Sequence, residues 1–168
     1  MGTVIEDLSA RAGAYGGHGI NNEDQPFHGE LSLTPLPAEA GTLLQFRATG
    51  IDGTEYHVER TWIAADDTGE LGLWTISSST PHVSRLRLRR SFPTDGTDRT
   101  LVFGTGDEAD PSTFRCEITL ELWPDGTLGY RYAWALPGDP SGAYSEVRVR
   151  PAAVADDATG EEEPHTFS

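Results

Sequence analysis

A chain of 168 residues with 36% hydrophobic content suffices for one domain with its own core. Its formal net charge of −15, with every basic residue an arginine, argues against nucleic acid and anionic membranes, which repel a polyanion. The single cysteine, Cys116, excludes an intrachain disulfide and multi-thiolate zinc sites.

The opening MGTVIEDLSARAG has no basic start followed by an apolar run, so no signal peptide is expected. No stretch reaches the roughly 18 apolar residues of a membrane span, and the cytoplasm is the expected compartment. VIEDLSARA, residues 4–12, predicts a short helix with Val4, Ile5 and Leu8 on one face. Strand patterns then follow at 14–20, 27–34, 42–50, 54–64, 70–79, 82–92, 99–105, 112–123, 127–136 and 143–150. The links IDG, DDTG, PTDG and PDG carry the Gly and Asp of tight turns. The clearest hairpin joins FRCEITLELW to TLGYRYAWAL, with Leu128, Tyr130, Tyr132, Trp134 and Leu136 on one apolar face and Cys116 expected as a small buried hydrophobe in line with Phe114, Ile118, Leu120 and Leu122.

About ten short antiparallel strands with hairpin-length links predict an all-β fold, a closed up-and-down barrel. Closure removes the sheet edges and, at this strand number, leaves an interior that holds one small ligand. Residues 1–12 are expected to cap the barrel and 13–151 to form it. Residues 152–168, acidic and poor in large apolar side chains, are expected to be a solvated tail.

Few motifs carry chemistry. His18, His28, His57 and His82 show no metal-ligand spacing, and His165 lies in the tail, so no metal is expected. A nucleophile elbow and a Walker loop are both missing. The glycines of GGHG, 16–19, mark a strongly bent first strand, where a missing Cβ relieves crowding. In RLRLRR, 85–90, alternation sets Arg85, Arg87 and Arg89 on one face, suited to pairing with Asp or Glu across strands. An anion site is the second use of such a row.

YHVERTW, 56–62, has two opposite faces. Tyr56, Val58, Arg60 and Trp62 share one, and His57, Glu59 and Thr61 the other. By alternation alone, Val58 and Trp62 belong to the core and His57 and Glu59 to solvent.

Three stretches reverse that reading by resemblance. GAYGGHG at 13–19 resembles the G-x-W-x-G-x-G opening of nitrobindin-type haem-binding β-barrels and their lipocalin-like bacterial relatives, with Tyr15 in the Trp position. FHGELSL, 27–33, is similar to their F-x-x-G-E segment, and YHVERTWIAADDTGELGLW to their M-H-x-E strand, its turn and the next strand. The resemblance spans residues 8–150 and implies a calycin-like barrel whose His57 and Glu59 face a cavity. On the following strand it implies Leu71, Leu73, Thr75 and Ser77 on that face.

The family's haem ligand is a His near the start of the last strand, a place that Tyr144 takes here. Tyr ligates ferric haem less commonly than His does. Haem is therefore a doubtful cofactor. The expected function is binding of a small hydrophobic or aromatic molecule, with His57, Glu59, Leu73, Thr75, Ser77 and Tyr144 as ligand-binding residues. The alternatives are ferric haem on Tyr144 or a histidine, an enzyme using His57 and Glu59 as an acid–base pair, and an occluded barrel that binds protein partners. A homodimer is compatible with any of these.

Overall fold

The computed structural model describes residues 2–153. One helix, α1 (Val4–Ser9), precedes ten strands: β1 (Gly13–Ile20), β2 (Pro26–Pro35), β3 (Gly41–Gly50), β4 (Glu55–Ala65), β5 (Leu71–Ser77), β6 (Thr80–Phe92), β7 (Arg99–Thr105), β8 (Arg115–Leu122), β9 (Leu128–Ala135) and β10 (Ala143–Pro151). Each strand pairs antiparallel with its chain neighbour, and β1 pairs with β10, Tyr15 opposite Pro151, to close the barrel. This is the meander that the turn spacing predicts. The tail from residue 154, with His165, lies outside the described residues.

Closure depends on β1. A Cβ on Gly17 would sit 2.1 Å from the Arg148 carbonyl oxygen, and one on Gly19 would sit 2.3 Å from that of Glu146. A strand bent this sharply against its neighbour admits no side chain at those inward positions. The turns follow their own chemistry: Gly126 of PDG sits at φ 82, where other residues are strained.

Helix α1 shuts one end. Thr3 accepts a hydrogen bond from the Glu6 amide while the Glu6 carboxylate accepts from the Thr3 amide, a reciprocal cap that fixes so short a helix. Asp7 pairs with Arg99 at 3.1 Å, and Arg99 donates to the Gly2 carbonyl at 2.9 Å. Leu8 is thereby driven into a layer of Leu31, Leu33, Leu44, Leu120 and Leu128 that leaves a gap of only about 10 Å³. Among the described residues, no helix is long and apolar enough to cross a membrane.

Inside and outside differ from simple alternation in three places. Trp62 is 40% exposed, whereas Glu59 is 3% exposed. Trp62 lies opposite Trp74 on the outer wall, and the Arg85 guanidinium sits 5.3 Å from the Trp74 ring centroid. An aromatic pair covered by a cation is stable facing solvent, so hydrophobicity does not mark the inside of β4. A bulge between Leu88 and Arg90 breaks the arginine row. Arg89 then runs over the bare Cα of Gly104 to Glu108, 2.7 Å away, Arg90 reaches Glu117 at 3.4 Å, and Arg85 pairs with Asp66. Leu136 has left β9 and is exposed in the following loop.

Candidate functional site: a polar ladder beneath an aromatic cavity

Strand β4 descends from the open end of the barrel, so its inward residues His57, Glu59, Thr61 and Ile63 lie at successive depths. Strand β9 ascends beside the same space, presenting Tyr130, then Tyr132, then Trp134. Glu59 sits where the two meet. Its Oε2 accepts from the Tyr130 hydroxyl at 2.6 Å and faces His57 Nε2 at 3.2 Å, while Oε1 accepts from Thr61 Oγ1 at 2.6 Å. Thr61 Oγ1 lies 2.8 Å from Thr75 Oγ1, and Ile63 below is wholly buried. A buried carboxylate is costly unless donors surround it, and here the donors converge on both oxygens.

Above this ladder the barrel is hollow. A cavity of about 620 Å³ opens at the end opposite α1, walled by Phe27, Phe46, Tyr130, Tyr132, Trp134 and His57. The rings form a continuous ribbon: Phe46 stacks on Tyr130 with centroids 4.5 Å apart, His57 on Tyr132 at 6.1 Å, and Tyr132 on Trp134 at 5.3 Å. Such contacts fix the walls in place without filling the centre. Burial pushes the Tyr130 and Tyr132 hydroxyls well above the ordinary phenol range, and the nearby Glu59 carboxylate adds to the effect. Burial likewise pushes the Cys116 thiol up to about 11. These groups are neutral hydrogen-bonding walls.

The six residues singled out from the sequence part company. His57 lines the cavity and Glu59 anchors it from below. Thr75 joins the ladder through Thr61, a layer deeper. Leu73 is fully buried core, and Ser77 Oγ accepts from the Thr80 amide to hold the β5–β6 turn. Tyr144 is the clear correction. It is 48% exposed on the outer wall, under the Arg131 guanidinium at 4.2 Å, while its neighbour Ser145 takes the inward position. A one-residue offset reverses a strand side chain.

Haem does not fit this arrangement. Tyr144 points away, His57 presents Nε2 to Glu59 and Nδ1 to Ser79 Oγ at 3.0 Å, and the inward phenols resist ionisation. Among the described residues no three His, Cys, Asp or Glu side chains gather to hold a metal.

The line Ser79–His57–Glu59 has the form of a proton relay. Its turn, however, is built as a scaffold. The Ser78 amide donates to the Val58 carbonyl at 2.9 Å, and the Thr80 amide donates to Ser77 Oγ at 3.2 Å. Both amides flanking Ser79 are thus engaged and unavailable to a reacting oxyanion.

Ser79, Phe46 and the ascending aromatics of β9 are the site residues that the sequence reading missed. The β9 alternation was visible, but periodicity cannot tell a cavity wall from packed core.

No family model matches the chain, and no curated protein matches it. Solved structures do resemble it. Rv2717c from M. tuberculosis superposes with a TM-score of 0.64 at 15% identity, over 90% of this chain and 99% of that one. A de novo designed fluorescence-activating β-barrel is similar in outline, with a TM-score of 0.45 at 14% identity, over 87% of this chain and 98% of that one. At 15% identity the likeness to Rv2717c is one of fold alone.

Proposed function

We propose that the protein binds a small apolar or aromatic molecule in the open half of the barrel. The observation that carries this reading is the contrast between a 620 Å³ aromatic-walled cavity and the sealed leucine layer below it. A cavity of this size matches a small-molecule ligand, and ring faces with a few fixed polar groups are the usual lining of such sites. His57 supplies the polar contact. Glu59 holds the imidazole in one orientation, and Ser79 completes the far side of the ring. The finer kinship with nitrobindin-type barrels rests on the three motifs alone.

The neutral dye N-phenyl-1-naphthylamine, whose fluorescence rises in apolar surroundings, tests this directly. Saturable enhancement with one site per chain is expected. The Ala48→Trp substitution fills the cavity from β3 and should abolish the enhancement while leaving the far-ultraviolet circular dichroism unchanged. Enhancement that survives in Ala48→Trp would place the dye elsewhere and overturn the proposal.

A further inference from the structure

We infer that the ligand is an organic cation, an aromatic or alkyl ammonium, an inference that rests on the cavity reading above. The twelve cationic side chains of the chain are all arginine, and none of them lines the cavity. They are held on the outer wall or at the closed end. Arg11 pairs with Asp98 at 2.8 Å and Arg99 with Asp7, both beside α1. Arg89 and Arg90 share Glu108, and Arg115 donates to the Asp139 carbonyl. Arg131 and Arg148 lie over the faces of Tyr144 and Trp123. Arg47, between the lining residues Phe46 and Ala48, is drawn outward to Glu55, 3.6 Å away with both side chains exposed.

The cavity shows the opposite sign. Glu23 and Glu55 stand on its rim, and Glu59 lies under His57 in its floor. Between rim and floor the walls are built from the rings of Phe46, Tyr132 and Trp134, whose π faces are the negative ends of aromatic quadrupoles. An ammonium seated over such a face is stabilised, most strongly once water is excluded. A carboxylate or phosphate would meet no arginine there, would find His57 already facing the Glu59 carboxylate, and would approach against a net charge of −15. The same arrangement that excludes anions therefore selects cations.

Three probes of one shape test the inference: benzyltrimethylammonium, its neutral isostere neopentylbenzene, and benzylsulfonate. Each is titrated against N-phenyl-1-naphthylamine bound to the full chain. The ammonium should displace the dye at a concentration about tenfold lower than the neutral isostere, with the sulfonate weakest. Trp134→Leu should shrink the ammonium-to-neutral ratio, whereas Trp123→Leu on the outer wall should leave it unchanged. Equal or tighter binding of the neutral isostere or the sulfonate overturns the cation inference while the cavity reading stands. Failure of the dye itself to bind removes the cavity reading and the cation inference together.

Discussion

The two halves of this barrel are built from the same strands for different ends. Strand β3 carries Leu44 and Ala48 on one face, four residues apart; both are buried, yet only Ala48 borders open space. Near α1, leucines interdigitate to leave almost no void, the condition under which apolar burial stabilises most. At the other end, ring-on-ring contacts and hydrogen bonds hold the walls apart. One half supplies stability, and the other can keep a hollow because the first exists. Burial alone therefore does not define core.

The largest expected effect contrasts those two positions. Leu44→Ala should lose about 2–5 kcal/mol in urea unfolding, since it opens a void in a layer with no slack. Ala48→Trp, although far larger in volume change, should cost less than about 1 kcal/mol because it enters existing space. A cost for Ala48→Trp that rivals Leu44→Ala would break the comparison.

Next in size is Glu59→Leu, which strands the buried Tyr130 hydroxyl and leaves Thr61 only Thr75 as an acceptor. The stranded hydroxyl costs about 1–3 kcal/mol, and Glu59→Gln, which keeps an acceptor, should recover part of the loss. His57→Leu should shift stability by less than about 1 kcal/mol, because the ring borders a cavity, and should change dye affinity several-fold. Equal destabilisation by the His57 and Glu59 leucine variants would mean that the ladder is not the boundary between the halves.

A smaller, chemical effect concerns Cys116. With its thiol at about 11 through burial, alkylation by iodoacetamide should be slow near neutral pH and rise about tenfold per pH unit below that value. Rapid alkylation near neutral pH would show that the upper wall opens on the experimental timescale.

The smallest effect lies outside both halves. Asp66 is held down to about 2, first by the Thr68 hydroxyl, then by the Thr68 and Glu70 amides and by Arg85. A depressed carboxylate stabilises the folded state above its unfolded pKa, and that contribution disappears as pH falls towards about 2. Asp66→Asn should therefore flatten the acid limb of a stability-against-pH curve without altering dye binding.

Most of the fold was legible in the sequence because strand period and turn chemistry are local. The ten strands sit within a few residues of their predicted bounds, and GGHG announced the bend at β1. The facing of β4 was not legible from alternation, since Trp62 and Glu59 each occupy the side opposite to their usual preference; the motif resemblance supplied it. Tyr144 failed by one position, for counting along a hairpin loop cannot resolve a two-residue period. Phe46 and Ser79 were invisible because they come from β3 and the β5–β6 turn, and reach His57 only once both neighbouring strands pair in register with β4.

Closure also dictates an order of events. The β1–β10 seam joins residues separated by nearly the whole chain, with Tyr15 opposite Pro151 and the Ala152 amide donating to the Ala14 carbonyl. Every other pairing links chain neighbours and can form as synthesis proceeds from the N-terminus. Strand β1, stripped of inward side chains at Gly17 and Gly19, must wait with one edge open until β10 has left the ribosome. Its scarcity of apolar surface then keeps that waiting edge from recruiting the wrong partner.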